Sequence, residues 1–129
     1  MNQNKTIPEV LGLKPDMKTR VVNEPAKYAQ IMNGWKFEHP TETGQIDFAH
    51  LFIRNQTELH QWLPELQKQL IPNGMIWVSW PKKSSKVPTD VNENHIRDFA
   101  IEIGLVDVKV CAVSDIWGGL KLVIPRSRR

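Results

Sequence analysis

The segment Trp80-Pro81-Lys82-Lys83-Ser84-Ser85 follows an apolar run, Met75 to Ser79, and puts two ammonium groups beside two hydroxyls. Lysine charge, serine hydroxyls and the free amides of a following helix suit a phosphate or a carboxylate. Thr89 and Asp90 end the same loop. They also fit as caps of the next helix, and an Asp90 carboxylate on those amides would compete with an anion. The competing role for Lys82, Lys83, Ser84 and Ser85 is an ordinary solvated connection.

Two further segments carry polar groups that belong near this loop. Asn23-Glu24-Pro25-Ala26-Lys27-Tyr28 follows one strand and Arg54-Asn55 follows another. If the three strands are neighbours, Asn23, Tyr28, Arg54, Lys82 and Ser84 line one polar pocket. Asp115-Ile116-Trp117 lies in a later turn, where the indole either stacks on a planar ligand or covers the end of a core. Tyr28, Asp90 and Asp115 are the groups available as a general acid or base.

Other chemistries find less support. His39, His50, His60 and His95 show no ligand spacing, so no metal is expected, and His50 reads as a satisfied core or half-buried residue. Cys111 sits in the apolar run VKVCAV and reads as a small core residue. A single cysteine excludes an internal disulfide.

These residues must be held by a fold. The chain has 129 residues, enough for one domain over 1–129 with a real core, and about 125–129 form a basic tail. Short strands are expected at 18–23, 46–53, 75–80, 106–113 and 120–124. A helix opens at Pro25, with Tyr28, Ile31 and Met32 on one face. Another runs from about Thr57 to Leu70, with Leu59, Trp62, Leu63, Leu66 and Leu70 as its apolar stripe and Pro64 as an expected kink. Pro72-Asn73-Gly74 reads as a turn. A third helix starts at an Asp90 cap with Glu93 completing a capping box, and Gly104 ends it.

Alternating strands and amphipathic helices imply a parallel sheet covered on both faces. The last two strands are too close in sequence for a crossover, so they form an antiparallel hairpin. The expected fold is α/β, a small Rossmann-like three-layer domain with a mostly parallel five-stranded sheet. Its strand order is first, second, third, fifth, fourth. Residues 33–45 read as a loop, which leaves the first strand as a bare edge. Trp35 could cover that edge, or a homodimer could.

This layout resembles the second half of a class I methyltransferase, and PNGMIWVSWP is similar to the strand-entry segment of such enzymes. The glycine-rich turn that holds a methyl donor is missing after the first strand, and no further strand is expected to supply an acidic ribose ligand. No strand lies beyond the first, so the order never reverses. S-adenosylmethionine is therefore not expected, and no cofactor is assigned. The segments LGLKPDMK, VVNEPAKY, IDFAHLFI, PNGMIWVSWPKKSS, TDVNENHIRD and GLVDVKVCAVSDIWGGLKLV, from about Leu11 to Val123, resemble a family of small bacterial proteins, domain-of-unknown-function family number 3052. The resemblance implies a truncated Rossmann-like domain and no established activity. Asp16 stands where the family commonly has glycine, and Gly118 where it commonly has serine.

The net charge is +3, and residues 81–129 carry the excess, nine Lys or Arg against six Asp or Glu. Three arginines in a short tail do not make a nucleic-acid surface. No apolar stretch is long enough for a membrane span, and the polar start MNQNKTIPEV lacks a signal-peptide core, so a cytoplasmic protein is expected. Three functions remain open. The first is a non-catalytic binding or regulatory domain with an anionic small ligand at the carboxyl edge of the sheet. The second is an enzyme acting on a phosphorylated or carboxylated small molecule. The third is a structural or dimerising protein partner.

Overall fold

The computed structural model describes residues 5–129. A six-stranded sheet runs β1 (Lys18–Val22), β2 (His39–Pro40), β3 (Ile46–Phe52), β4 (Leu70–Ser79), β5 (Val106–Ala112) and β6 (Gly118–Val123). The spatial order is β2-β1-β3-β4-β6-β5. β1, β2, β3 and β4 are mutually parallel, while β6 pairs antiparallel with both β4 and β5. The expected order of five strands holds, with β2 added outside it.

Helices α1 (Ile7–Leu11) and α2 (Tyr28–Ile31) lie at one face, and α3 (Gln56–Gln69) and α4 (Glu93–Glu102) at the other. The near-continuous apolar run Ile46–Ile53 forms a strand because both its faces are covered. Ala49, Leu51 and Ile53 meet Leu59, Leu63, Leu66, Ile96 and Ala100. Phe48 and Phe52 meet Leu11, Tyr28, Met32, Trp77 and Trp117 on the opposite face. Each such leucine or phenylalanine contributes about 1.5–3 kcal/mol by leaving water. The Trp77 indole also donates to the Leu11 carbonyl at 2.9 Å, fastening α1 to the sheet.

Four local expectations are corrected, at residues 25, 39–40, 72–74 and 90–92. His39-Pro40 lies in a stretch read as loop, yet it pairs with Lys18 and Thr19 and covers part of the β1 edge. Pro25 does not open a helix: the Tyr28 amide donates to the Pro25 carbonyl in a turn, and α2 is a single helical turn. Pro72-Asn73-Gly74 lies inside β4, where the register slips between Ile46↔Leu70 and Phe48↔Met75, so an irregularity takes up the extra residues. α3 runs through Pro64 without a break, since buried Leu59, Leu63 and Leu66 hold both sides of it on the sheet. α4 starts after Asn92, not Asp90: the Asn92 side chain accepts from the His95 amide at 3.0 Å.

The sheet is not covered on both faces throughout. Val108 and Val110 of β5 are 53% and 49% exposed. Cys111 on the same strand is half-buried rather than a core residue, and burial pushes its thiol pKa up. At the opposite edge Trp35 and Phe37 pack partly against the core beside Tyr28. Among the described residues no helix is long and apolar enough to cross a membrane.

Candidate functional site

The loop after β4 is built by its backbone. The Gly118 amide donates to the Trp80 carbonyl at 2.9 Å, and the Lys82 amide donates to the Ile116 carbonyl at 2.8 Å. These bonds carry the chain past the β6 start into a 3-10 turn, Lys83–Ser85. The Ser85 hydroxyl donates to the Lys82 carbonyl at 2.6 Å and accepts from the Val87 amide at 3.3 Å. Lys86 takes a left-handed conformation with φ +62°. The far end of the loop is tied to α3. Thr89 donates to the Arg54 carbonyl at 2.7 Å, and the Asp90 carboxylate accepts from the Gln56 amide at 2.8 Å. The Gln56 side chain donates back to the Asp90 carbonyl at 2.8 Å.

Between this loop, the start of α4 and the end of β5 lies a cleft of about 910 Å3. Its floor is apolar, with Trp80, Val91, Val110 and Ala112, and its rim carries Lys82, Lys83, Lys86 and His95. Asp90 and Glu93 also line it, but both are engaged. Asp90 serves the first turn of α3, and Glu93 pairs with Arg97, which also reaches Asp107 at 2.9 Å. No ion pair involves the three lysines among the described residues. His95 Nδ1 accepts from the Asn92 amide, so the ring completes the α4 cap where Glu93 was expected to do so.

The sequence-derived residues do not form one pocket. Lys82, Lys83, Thr89 and Asp90 line the 910 Å3 cleft, whereas Asn23 and Tyr28 line a second cavity of about 460 Å3. Ser84 and Arg54 are exposed and line neither. The Arg54 guanidinium lies 5.4 Å from the centre of the Trp117 ring. Trp117 is 5% exposed and meets Phe52 edge-on at 5.0 Å, so it closes the core and offers no open stacking face. Asp115 is exposed beside it and outside both cavities.

The second cavity changes the view of the sheet. The chain passes from β1 outward to β2 and returns to β3 on the other side of β1. The strand order does reverse, between β1 and β3, but the cavity lies along β1 and β2 and no residue of β3 lines it. Asn23 follows β1 with φ +59°, and its side-chain nitrogen is buried without a partner. Glu42 follows β2 and lines the same cavity, supplying an acidic residue where none was expected.

A buried polar chain crosses the face beneath α2. Tyr28 Oη and His50 Nδ1 share a hydrogen bond at 3.0 Å, and His50 Nε2 and Ser79 Oγ share one at 2.8 Å. Burial pushes the His50 pKa down to about 3 and raises that of Tyr28, to which Glu24 adds. His50 is therefore neutral, with one ring nitrogen donating and the other accepting. A serine on an imidazole has the form of an activated nucleophile. His50 and Ser79 are both 0% exposed, so the chain instead ties α2 to β3 and β4. The sequence reading had His50 as a core or half-buried residue and missed Ser79. It also missed Lys86 and His95 at the cleft, although Lys86 lies in the same loop.

No curated relative matches the sequence. Several solved structures share the fold. A ribosomal protein L11 methylase from Lactobacillus delbrueckii subsp. bulgaricus aligns with a TM-score of 0.62 at 14% identity, covering 93% of this chain and 75% of that one. Magnesium protoporphyrin IX methyltransferase from Synechocystis PCC 6803, solved with bound SAM, gives 0.61 at 11%, covering 92% and 78%. TrmN from Thermus thermophilus gives 0.57 at 9%, covering 92% of this chain and 47% of its own. At these identities the likeness speaks for a Rossmann-like, methyltransferase-like fold and nothing finer. Residues 18–126 match the family described as "Protein of unknown function (DUF3052)", and the chain belongs to that family.

Proposed function

We propose that the protein is a binding domain that holds an anionic ligand in the cleft beyond the carboxyl end of β4. The observation that carries this is the state of the charges. Lys82, Lys83 and Lys86 rim an apolar-floored cleft with no carboxylate partner among the described residues, while both of its acids are bound elsewhere. Three lysines line one cleft without a carboxylate to neutralise them, and an anion there gains their attraction. The Val110, Ala112 and Trp80 floor favours a ligand with an apolar part beside its charge.

Calorimetric titration with pyrophosphate tests this. Native protein should bind, and Lys82→Ala/Lys83→Ala/Lys86→Ala should lose at least tenfold in affinity with its melting temperature intact. Equal affinity in the triple variant would overturn the assignment. The affinity should also fall as salt rises, because exposed charges are screened.

A second reading is favoured by the buried, partnerless Asn23 amide just after β1. The 460 Å3 cavity there offers the Asn23 amide and the Glu42 carboxylate, which suit the carbonyl edge and ribose hydroxyls of a nucleoside. S-adenosylmethionine in the same titration checks it: binding that weakens in Glu42→Gln and is indifferent to the lysine variants supports a nucleoside site there.

A further inference from the structure

β5 is an open edge. It pairs with β6 on one side and with no strand on the other among the described residues. An edge strand with apolar side chains is a template for another extended chain. Five large hydrophobic residues are exposed, and four flank this edge. Val108 and Val110 are on β5, and Val87 lines the cleft with Val110. Ile101 lies one turn after Arg97 on the flank of α4 whose guanidinium reaches Asp107 of β5. The adjoining cleft is cationic: none of its three lysines has an ion pair among the described residues.

We infer that β5 and the adjoining cleft dock an extended acidic segment of a partner protein, added to the sheet as a further strand. The inference rests on the anion reading of the cleft and names the carrier of the charge. The register irregularity between Asp107 and Lys109 restricts regular addition to Lys109–Ala112. Main-chain hydrogen bonds along that stretch supply affinity, and alternate side chains supply selectivity. Val110 and Ala112 line the cleft. The docked residues on that face, every second one of the segment, therefore meet apolar floor and lysine rim together, which fits a segment whose cleft-facing positions carry both apolar and acidic side chains. A second copy of this chain fits poorly, because each copy has a net charge of +3 and brings the same lysines to the contact.

The test uses a fluorescein-labelled eight-residue peptide with valine and glutamate taking turns at every second position and serine between them, so that one face carries both, read by anisotropy with pyrophosphate titrated in parallel. The native protein should bind both. Lys82→Ala/Lys83→Ala/Lys86→Ala should weaken both at least tenfold. Val108→Ser, at an exposed position of β5 outside the cleft lining, should weaken the peptide at least fivefold and leave pyrophosphate within twofold. Hydrogen exchange should show new protection at Lys109–Ala112 when the peptide binds. Pyrophosphate binding without peptide binding would overturn the docking inference alone. Failure of both would overturn the anion reading as well. Peptide binding with no protection at Lys109–Ala112 would refute strand addition. A dimer already protected there without peptide would assign the edge to a second copy instead.

Discussion

Removing the titration of His50 should flatten the acid instability of the protein. Burial holds this imidazole neutral, with its pKa pushed down to about 3 from an ordinary value near 6.5. The unfolded chain binds the proton at pH 6.5 and below, whereas the folded chain binds it only near pH 3. The unfolded state thus holds more protons in that window, and stability falls as pH falls through it. Above 6.5 the group imposes no penalty. Each pH unit inside the window is worth about 1.4 kcal/mol. Between pH 7 and pH 5, His50 should therefore remove about 2 kcal/mol of stability. His50→Gln keeps a donor and an acceptor between Tyr28 and Ser79 but does not titrate. It should be less stable than the native protein at pH 7, since a buried pairing rarely survives a change of shape. Its loss on going to pH 5 should be smaller by that same amount, about 2 kcal/mol. Urea unfolding followed by tryptophan fluorescence at the two pH values reads the difference directly, and other titrating groups cancel between the variants. Parallel losses in both proteins would refute the assignment of the acid sensitivity to His50.

Two further outcomes follow from caps and close contacts. Asn92→Ala removes the acceptor for the His95 amide at the start of α4 and should cost about 1 kcal/mol in chemical denaturation. Asp90→Ala should leave α4 intact and loosen α3, seen as faster amide exchange at Gln56. In Gly119→Ala the new methyl carbon would stand 2.9 Å from Val113 Cγ2 and 3.2 Å from the Trp77 ring. It should cost about 1–3 kcal/mol by overpacking, and an unchanged melting temperature would contradict the packing described around Trp77.

Local regularities were legible where one element decides them. The Leu59, Leu63 and Leu66 stripe specifies α3 and its buried face, and the short link between β5 and β6 forces the hairpin. What was not legible depends on distant partners. Asp90 fits a helix cap by sequence, but Gln56, 34 residues away, takes its carboxylate and the α4 cap falls to Asn92. His39-Pro40 has no strand pattern and becomes β2 only because Lys18 and Thr19 leave groups to pair. At the cleft the lysines stood out in sequence, but the Val110 and Ala112 floor exists only once β5 is placed beside β6. The chain from Tyr28 through His50 to Ser79 joins three elements, so no spacing rule could reveal it.

The ties at both ends of the loop between β4 and α4 bear on kinetics. Ser85 pins its near side to Lys82, and Thr89 and Asp90 pin its far side to Arg54 and Gln56. The cleft wall cannot swing without breaking several of these bonds. A ligand therefore meets a receptor already in its binding shape, and little ordering entropy is lost on capture. Association is then governed by encounter, steered by the lysines, rather than by a slow opening step, and differences between ligands fall on their rates of departure.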